Sequence, residues 1–288
     1  MSSASCAAVI RGVEKHYPDF TLGPVDLTVP KGCIVGLVGE NGAGKTTLLK
    51  LLTGVNPADA GSIELLGGAP GTPAGRGDLG VVFDDAYFYE SLTAKQIGKS
   101  MAGIFGSRWD SAKYRQLLKQ FGLDEGKPVK AYSRGMRMKL SLVTALAHHP
   151  RLLVLDEATS GLDPVVRGEM LDLFLDFIQD EDHSILISSH ITGDLEQVAD
   201  SIAYLHQGKL LFQEDKDVLL SMYGILRCGA EDLATLPGEC IVHTRRTDFG
   251  CETLVKGREE VLRLLPEAVC DPASIDDIMR FTSGRDKQ

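Results

Sequence analysis

A glycine-rich segment between an apolar run and a helical pattern constrains the fold of this chain more than any other feature. Residues 39–46 read GENGAGKT and match the pattern G-x-x-x-x-G-K-[ST] in full. They follow the apolar run 34–38 and precede a leucine-rich pattern that suits a helix ending near Gly54. Glycines at this spacing let backbone amides surround phosphate oxygens, and the start of the helix adds the positive end of its dipole. The sequence therefore predicts an α/β fold with a phosphate-binding strand–loop–helix unit.

Composition and charge exclude several classes of protein. The 288 residues are 43% hydrophobic and 24% charged, which is typical of a globular protein with one large domain and an appendage, or two modest domains. The 40 acidic and 30 basic residues argue against nucleic acid as the main partner, because phosphate backbones are bound by clustered Lys and Arg. No apolar run reaches the roughly 20 residues of a membrane span. The N-terminus lacks a secretory signal pattern, and the six cysteines are scattered, so we expect a cytosolic protein with reduced thiols.

Strand and helix patterns divide the chain into parts. Alternating apolar and polar residues up to Pro30 predict short strands separated by Gly and Pro. A hairpin is predicted over 202–213, and past Tyr223 a second hairpin and two short helices predict a small α+β appendage. Further helices are predicted after residues suited to cap or begin them, namely Asp110, Ser133 and Pro164.

A short apolar strand that ends in two acids is the second chemical feature. Residues 152–155 form a run typical of a fully buried strand, and Asp156 and Glu157 follow directly. Carboxylates are rarely buried without a partner, although this strand end could also simply emerge into solvent. Beside a phosphate loop, Asp156 and the Thr46 hydroxyl suit Mg²⁺, and Lys45 suits the β- and γ-phosphates. Glu157 is then placed to orient or deprotonate the attacking water.

Two further motifs and a histidine accompany these acids. Residues 132–136 read YSRGM and precede the acids, while residues 160–163 read SGLD and, like His190, follow them. Taken alone, YSRGM would be a helix cap and His190 a structural histidine. Their joint order and spacing with the phosphate loop, over residues 7–222, resemble the ATP-binding-cassette (ABC) ATPases.

The resemblance implies a P-loop NTPase of the ABC type with ATP and Mg²⁺ as its cofactors. Residues 1–224 would form the nucleotide-binding domain. Its mixed core sheet would be joined by an antiparallel β subdomain and by a helical signature subdomain over about 88–147. Residues 225–288 would form a small α+β accessory domain.

The resemblance also implies roles for individual residues. Glu157 is similar to the catalytic base, and His190 is similar to the switch histidine that contacts the γ-phosphate. Asp84 is the third implied catalytic residue. The implied metal ligands are Thr46, Asp156 and Asp84. The implied nucleotide-binding residues are Tyr17, Gly39, Asn41, Gly42, Gly44, Lys45, Thr46, Thr47, Ser133, Gly135 and Asp163. Of these, Tyr17 would stack on adenine, with a plain strand-edge tyrosine as the alternative.

Two cassettes of this family clamp two ATP molecules head to tail. A single cassette therefore implies a homodimer with C₂ symmetry, or a related ABC subunit as partner. This chain departs from the family's usual LSGGQ signature, but its YSRGM keeps Ser133 and Gly135. It also has Asp84 where the family usually carries a Gln that touches Mg²⁺ and water. Since Asp is shorter and adds negative charge beside the γ-phosphate, slower or more conditional hydrolysis is expected.

The function implied is that of an ATP-hydrolysing subunit that drives a separate membrane permease. A single cassette with a YSRGM signature most resembles bacterial drug- and peptide-export or resistance systems of the ABC-2 type. The chain would then lie in the cytoplasm on the inner face of the membrane. Residues 83–92, with the aromatic run Tyr87-Phe88-Tyr89, would provide the docking groove or, alternatively, a packed core patch. The competing interpretation is a soluble ABC ATPase that acts on a macromolecular assembly.

Overall fold

The computed structural model describes residues 5–84, 88–247 and 250–283, apart from the side chains of residues 74, 230 and 247. In chain order the strands are β1 (Cys6–Tyr17), β2 (Phe20–Pro30), β3 (Ile34–Val38), β4 (Ala60–Leu65), β5 (Leu79–Val82), β6 (Leu152–Asp156), β7 (Ser184–Ser189), β8 (Ser201–His206), β9 (Lys209–Asp215), β10 (Tyr223–Cys228), β11 (Ile241–Thr247), β12 (Gly250–Lys256) and β13 (Val269–Pro272). The α-helices are α1 (Lys45–Leu52), α2 (Pro73–Gly77), α3 (Ala94–Phe105), α4 (Ser111–Gln120), α5 (Arg134–Leu146), α6 (Pro164–Phe177), α7 (Thr192–Val198), α8 (Lys216–Met222), α9 (Ala230–Leu233), α10 (Arg258–Leu264) and α11 (Ile275–Ser283).

A six-stranded sheet in the order β5-β6-β7-β3-β8-β9 forms the centre of the molecule. Its first five strands are parallel, and β9 pairs antiparallel with β8. Every residue of β3, β6 and β7 is buried, because both faces of the sheet are covered. The continuous apolar runs 34–38 and 152–155 are the sequence counterpart of this burial. Strands β3 and β6 are parallel and are separated only by β7. The phosphate loop and the acids, which follow these strands, therefore lie together at the carboxyl ends of the strands.

A smaller antiparallel sheet in the order β2-β1-β4 packs against the central one. The prediction of several short strands before Pro30 is wrong, since β1 has 12 residues and β2 has 11. The two strands continue through their glycines by shifts of register, one of them between Ile10 and Val13. The side chain of Gln213 on β9 joins the two sheets by bonding both the amide and the carbonyl of Thr28 on β2.

Helices α3, α4 and α5 form a region beside the central sheet, as the helical patterns predict. Each is capped by a side chain that accepts a backbone N–H bond, from Thr93, Asp110 and Ser133 respectively. The helix predicted from Pro164 is also present as α6, and Asp163 caps it. These caps fix where each helix begins, and two of the capping residues, Ser133 and Asp163, are also predicted site residues.

A four-stranded antiparallel sheet in the order β11-β12-β10-β13 lies near the C-terminus. The hairpin predicted over 241–256 is β11 and β12, and its turn residues 248 and 249 lie outside the described residues. Helix α11 packs against α7, where Ile275 and Ile278 share a core with Leu195 and Val198. Glu196 accepts a hydrogen bond from the Ile275 amide at 2.8 Å. Across the described ranges, no helix combines the length and apolarity that crossing a membrane demands.

Candidate functional site

The glycine-rich loop closes around the side chain of its own lysine. Lys45 is the first residue of α1 and is only 6% exposed. Its Nζ donates to the carbonyl oxygen of Gly39 at 2.7 Å and lies 3.1 Å from Oε1 of Glu157. The ammonium group is thus held between the loop and the end of β6, where it can meet an anion bound by the loop amides.

An aromatic side chain that the sequence analysis did not assign packs on this loop. Gly44 has a φ of 107°, and a Cβ built on it would lie 2.8 Å from Cζ of Phe20. Gly42 has a φ of 84°, but a Cβ there would meet nothing within 4 Å. Only Gly44 is therefore required both by backbone conformation and by the close approach of Phe20.

Asp156 is buried at the end of β6 and is held by two hydroxyl groups. Thr46 Oγ1 donates to Oδ2 of Asp156 at 2.7 Å, and Ser188 Oγ donates to Oδ1 at 2.6 Å. Ser188 lies opposite Asp156 in the register of β6 and β7, which the sequence alone does not reveal. Within the described part of the chain, no three or more His, Cys, Asp or Glu side chains are grouped to hold a metal ion. The Thr46 and Asp156 oxygens still fit Mg²⁺, which usually takes one or two protein oxygens together with phosphates and water.

Glu157 occupies a strained position between two nitrogen groups. Its φ of 52° is uncommon for a residue with a side chain, and its amide donates to both the Oγ and the carbonyl of Ser188 at 3.1 Å. Oε1 faces Lys45, while Oε2 lies 2.6 Å from Nδ1 of His190. Because the carboxylate is 14% exposed and fixed on both oxygens, its direction is set before any substrate binds.

A cleft of about 330 Å³ brings most of the predicted residues together. Asp84, just past the end of β5, lies on its wall, and Oδ1 of Asp84 pairs with Nη2 of Arg134 at 2.6 Å. The lining residues are Phe20, Glu40, Asn41, Gly42, Gly44, Lys45, Thr46, Thr47, Asp84, Asp156 and Glu157.

The remaining predicted residues, among those that the structure describes, lie outside the lining of this cleft. Two of them are hydrogen-bonded to lining residues, Gly39 to Lys45 and His190 to Glu157. Tyr17 is 39% exposed, and its hydroxyl lies 3.4 Å from Nδ2 of Asn56. Adenine stacking by Tyr17 therefore stays a prediction.

The signature residues and Asp163 sit at two neighbouring helix starts. Ser133 Oγ accepts from the Met136 amide at 3.2 Å, and Asp163 Oδ1 accepts from the Val166 amide at 3.1 Å. A Cβ built on Gly135 would lie 3.4 Å from Cγ1 of Val166, which places the start of α5 against α6. Within one chain these residues bond their own helices and do not reach the phosphate loop cleft.

Comparisons with known proteins point to one family. Residues 22–160 match the family described as ABC transporter. The chain is similar to the lantibiotic transport ATP-binding protein SrtF of Streptococcus pyogenes, at 34% identity over 214 residues that cover 72% of this chain and 90% of the relative. It is also similar to the bacitracin transport ATP-binding protein BcrA of Bacillus licheniformis, at 36% identity over 65% of this chain and 62% of that protein. The solved structure of an ATP-binding subunit of an ABC transporter superposes with a TM-score of 0.65 and 27% identity, covering 75% of this chain and 92% of the other.

Proposed function

Because the chain belongs to the ABC family of transporter ATPases, we propose that it hydrolyses ATP as part of a C₂ homodimer and thereby drives a separate membrane permease. The observation that carries the proposal is the contact between the phosphate loop and the end of β6. There, in one cleft, Lys45 lies 3.1 Å from Glu157 and the hydroxyl of Thr46 donates to Asp156 at 2.7 Å.

The side chains of the cleft have distinct tasks in hydrolysis. The loop amides and Lys45 bind the β- and γ-phosphates. Thr46 and Asp156 would hold Mg²⁺, which when bound neutralises part of the phosphate charge. Glu157 orients a water molecule and accepts its proton as the water oxygen bonds to the γ-phosphorus. The bond from that phosphorus to the β–γ bridging oxygen breaks, and ADP and phosphate leave. His190 fixes the direction of the Glu157 carboxylate.

The second half of the site would come from another copy of this chain. Ser133, the Gly135 amide and the start of the 13-residue helix α5 offer donors and a positive dipole end to an anion. Ser133 and Asp163 are exposed in the single chain, so a partner can reach them. We propose that this surface meets the γ-phosphate bound by the partner, and that Asp163 lies at the junction of the two subunits.

An apolar groove provides the docking site for the permease in this proposal. It has a volume of about 390 Å³ and lies between β5 and the helices α3 and α5. Tyr89 and Ile104, on neighbouring segments, are 80% and 71% exposed, which adds apolar surface near its edge. Tyr87 lies outside the described residues. The groove is lined by Leu79, Val81, Val82, Phe83, Phe88, Met101, Phe105, Ser141, Thr144, Ala145 and His148.

The occupant would be a short amphipathic helix on the cytoplasmic side of the permease, which would place the chain on the inner face of the membrane. The names of the relatives SrtF and BcrA refer to lantibiotic and bacitracin transport and favour a peptide as the transported molecule. We propose that the system is of the ABC-2 type and that it exports this molecule. The transported molecule itself would be chosen by the permease.

Copurification from membranes tests this function. The tagged chain should be recovered with a polytopic membrane protein, and Met101→Glu should abolish that recovery because it places a charge in the groove. Leu264→Glu, an exposed apolar residue of α10 away from the groove, is the matched control and should copurify as the wild type does. Recovery of wild-type chain only from the soluble fraction, with a macromolecular assembly, would contradict the transporter proposal.

A further inference from the structure

The first residue of the signature helix contacts two other parts of the chain. Arg134 pairs with Asp84, just past the end of β5, with 2.6 Å between Nη2 and Oδ1. Its guanidinium also lies over the loop 160–163, since a Cβ built on Gly161 would be 3.1 Å from Cζ of Arg134. Arg134 therefore joins the cleft wall, the signature and the loop 160–163 within one subunit.

Both members of this ion pair lie at positions where this chain departs from the usual family sequence. Asp84 stands in place of a Gln, and Arg134 stands within the signature. The cleft is already lined by the acids Glu40, Asp156 and Glu157 besides Asp84, and among its described lining residues Lys45 is the only lysine or arginine. A further bare carboxylate would repel the phosphates of ATP. Arg134 offsets that charge, which gives a physical reason for the two departures to occur together.

Asp84 faces the cleft, so a cation that enters with ATP meets the carboxylate that Arg134 holds. The pair can yield to such a competitor because it is half-exposed, at 46% for Asp84 and 55% for Arg134. An ion pair between exposed side chains favours its paired form over the separated form by about two- to fivefold. A pair of that strength can be exchanged reversibly.

We infer that Arg134 is a positioning residue for Asp84, because it holds and neutralises the Asp84 carboxylate before ATP binds. When ATP binds with its cation, Asp84 exchanges Arg134 for that cation, and the start of α5 is freed. This inference rests on the proposed function of the cleft. As a consequence, ATP binding in the cleft of one subunit frees the signature residues that the same subunit presents to its partner.

The test compares ATP affinity with Mg²⁺ and with EDTA, measured by the fluorescence of a labelled ATP. All chains carry Glu157→Gln, so that nucleotide is not consumed. The measured ratio is the ATP affinity with Mg²⁺ divided by the ATP affinity with EDTA. Arg134→Gln should raise this ratio about two- to fivefold, because the bare Asp84 carboxylate repels ATP alone and attracts the metal complex. Arg134→Lys keeps the charge and should stay near the parent value.

Two further variants make the result specific to the pair. Asp84→Asn should lower the ratio, and adding Arg134→Gln to it should change nothing more. Arg137→Gln removes the same charge from the same helix, but Arg137 pairs with Glu90 at 3.2 Å, away from the cleft, so its ratio should match the parent. An unchanged ratio in Arg134→Gln, or an equal change with and without Asp84, would overturn the inference.

Failure of the inference can be told apart from failure of the proposed function. Lys45→Ala should abolish nucleotide binding in the same assay. If it binds as the parent does, the assignment of the cleft is wrong. If it loses binding while Arg134→Gln leaves the ratio unchanged, only the role of Arg134 is wrong.

Discussion

Two clusters of predicted site residues differ in how complete they are within one chain. In the phosphate cluster (Lys45, Thr46, Asp156, Glu157 and His190), every side chain contacts another member of the cluster. In the signature cluster (Ser133, Gly135 and Asp163), the two polar side chains are exposed and cap their own helices. In the proposed function this difference has a direct meaning: the single chain binds the nucleotide, whereas hydrolysis requires a second chain.

The largest expected effect comes from removing the proton acceptor of the phosphate cluster. Glu157→Gln should slow ATP hydrolysis by about 10²- to 10⁴-fold, which is the usual contribution of a general base. ATP binding should persist, because Lys45 and the loop amides remain. Phosphate release and nucleotide binding are the measurements. Glu181→Gln, an exposed acid, is the control, and near-normal turnover in Glu157→Gln would remove Glu157 from this role.

A smaller effect tests how tightly the phosphate cluster is built. Gly44→Ala and Gly42→Ala both place a Cβ at positive φ, but only the Cβ at Gly44 would contact Phe20. Overpacking costs about 1–3 kcal/mol, so Gly44→Ala should lose that much more free energy of unfolding than Gly42→Ala in urea titrations. Adding Phe20→Leu should recover part of the loss. Equal destabilisation by the two alanines would show that Phe20 does not confine the loop.

The smallest effect concerns how the helical region that carries Ser133 is attached to the sheet. His148, two residues after α5, donates from Nε2 to the carbonyl of Leu79 at 3.1 Å and stacks on Phe105. Burial lowers the pKa of His148 below its ordinary value near 6.5. The folded state therefore resists protonation that the unfolded chain accepts, so stability is complete above about pH 6.5 and falls as the pH drops towards the lowered pKa.

Replacing His148 should flatten this pH dependence. In His148→Gln an N–H is still available for the Leu79 carbonyl but nothing titrates, so unfolding free energies between pH 7 and pH 5 should change less than in the wild type. His149→Gln, at the exposed neighbouring histidine, controls for the loss of an imidazole. A wild-type slope in His148→Gln would mean that other groups determine the acid sensitivity.

The two clusters were also unequally predictable from sequence. The members of the phosphate cluster lie next to short, strongly patterned strands and in the P-loop motif, so local sequence identifies them. Ser188 and Phe20 escape prediction because their partners, Asp156 and Gly44, are distant in sequence and are met only through strand register and sheet packing. The pairing of Asp84 with Arg134 is missed for the same reason, although Asp84 stands out alone.

The fold shows the same limit. Helices α4, α5 and α6 begin where caps predict, since a cap is a local hydrogen bond. For the long strands β1 and β2 the sequence predicts short pieces, because Gly and Pro normally end a strand. Pairing with β4 and packing on the central sheet override that local preference.

Mixing two inactive variants tests most directly whether a second chain completes the site. Lys45→Ala disables the phosphate cluster, and Ser133→Asp keeps a good helix cap while placing a negative charge towards the partner's γ-phosphate. Neither should hydrolyse ATP alone. Equal amounts together should release phosphate at up to about a quarter of the wild-type rate, because half of the dimers are mixed and each has one intact site. A mixture as inactive as its parents, or full activity of Ser133→Asp alone, would contradict the composite site.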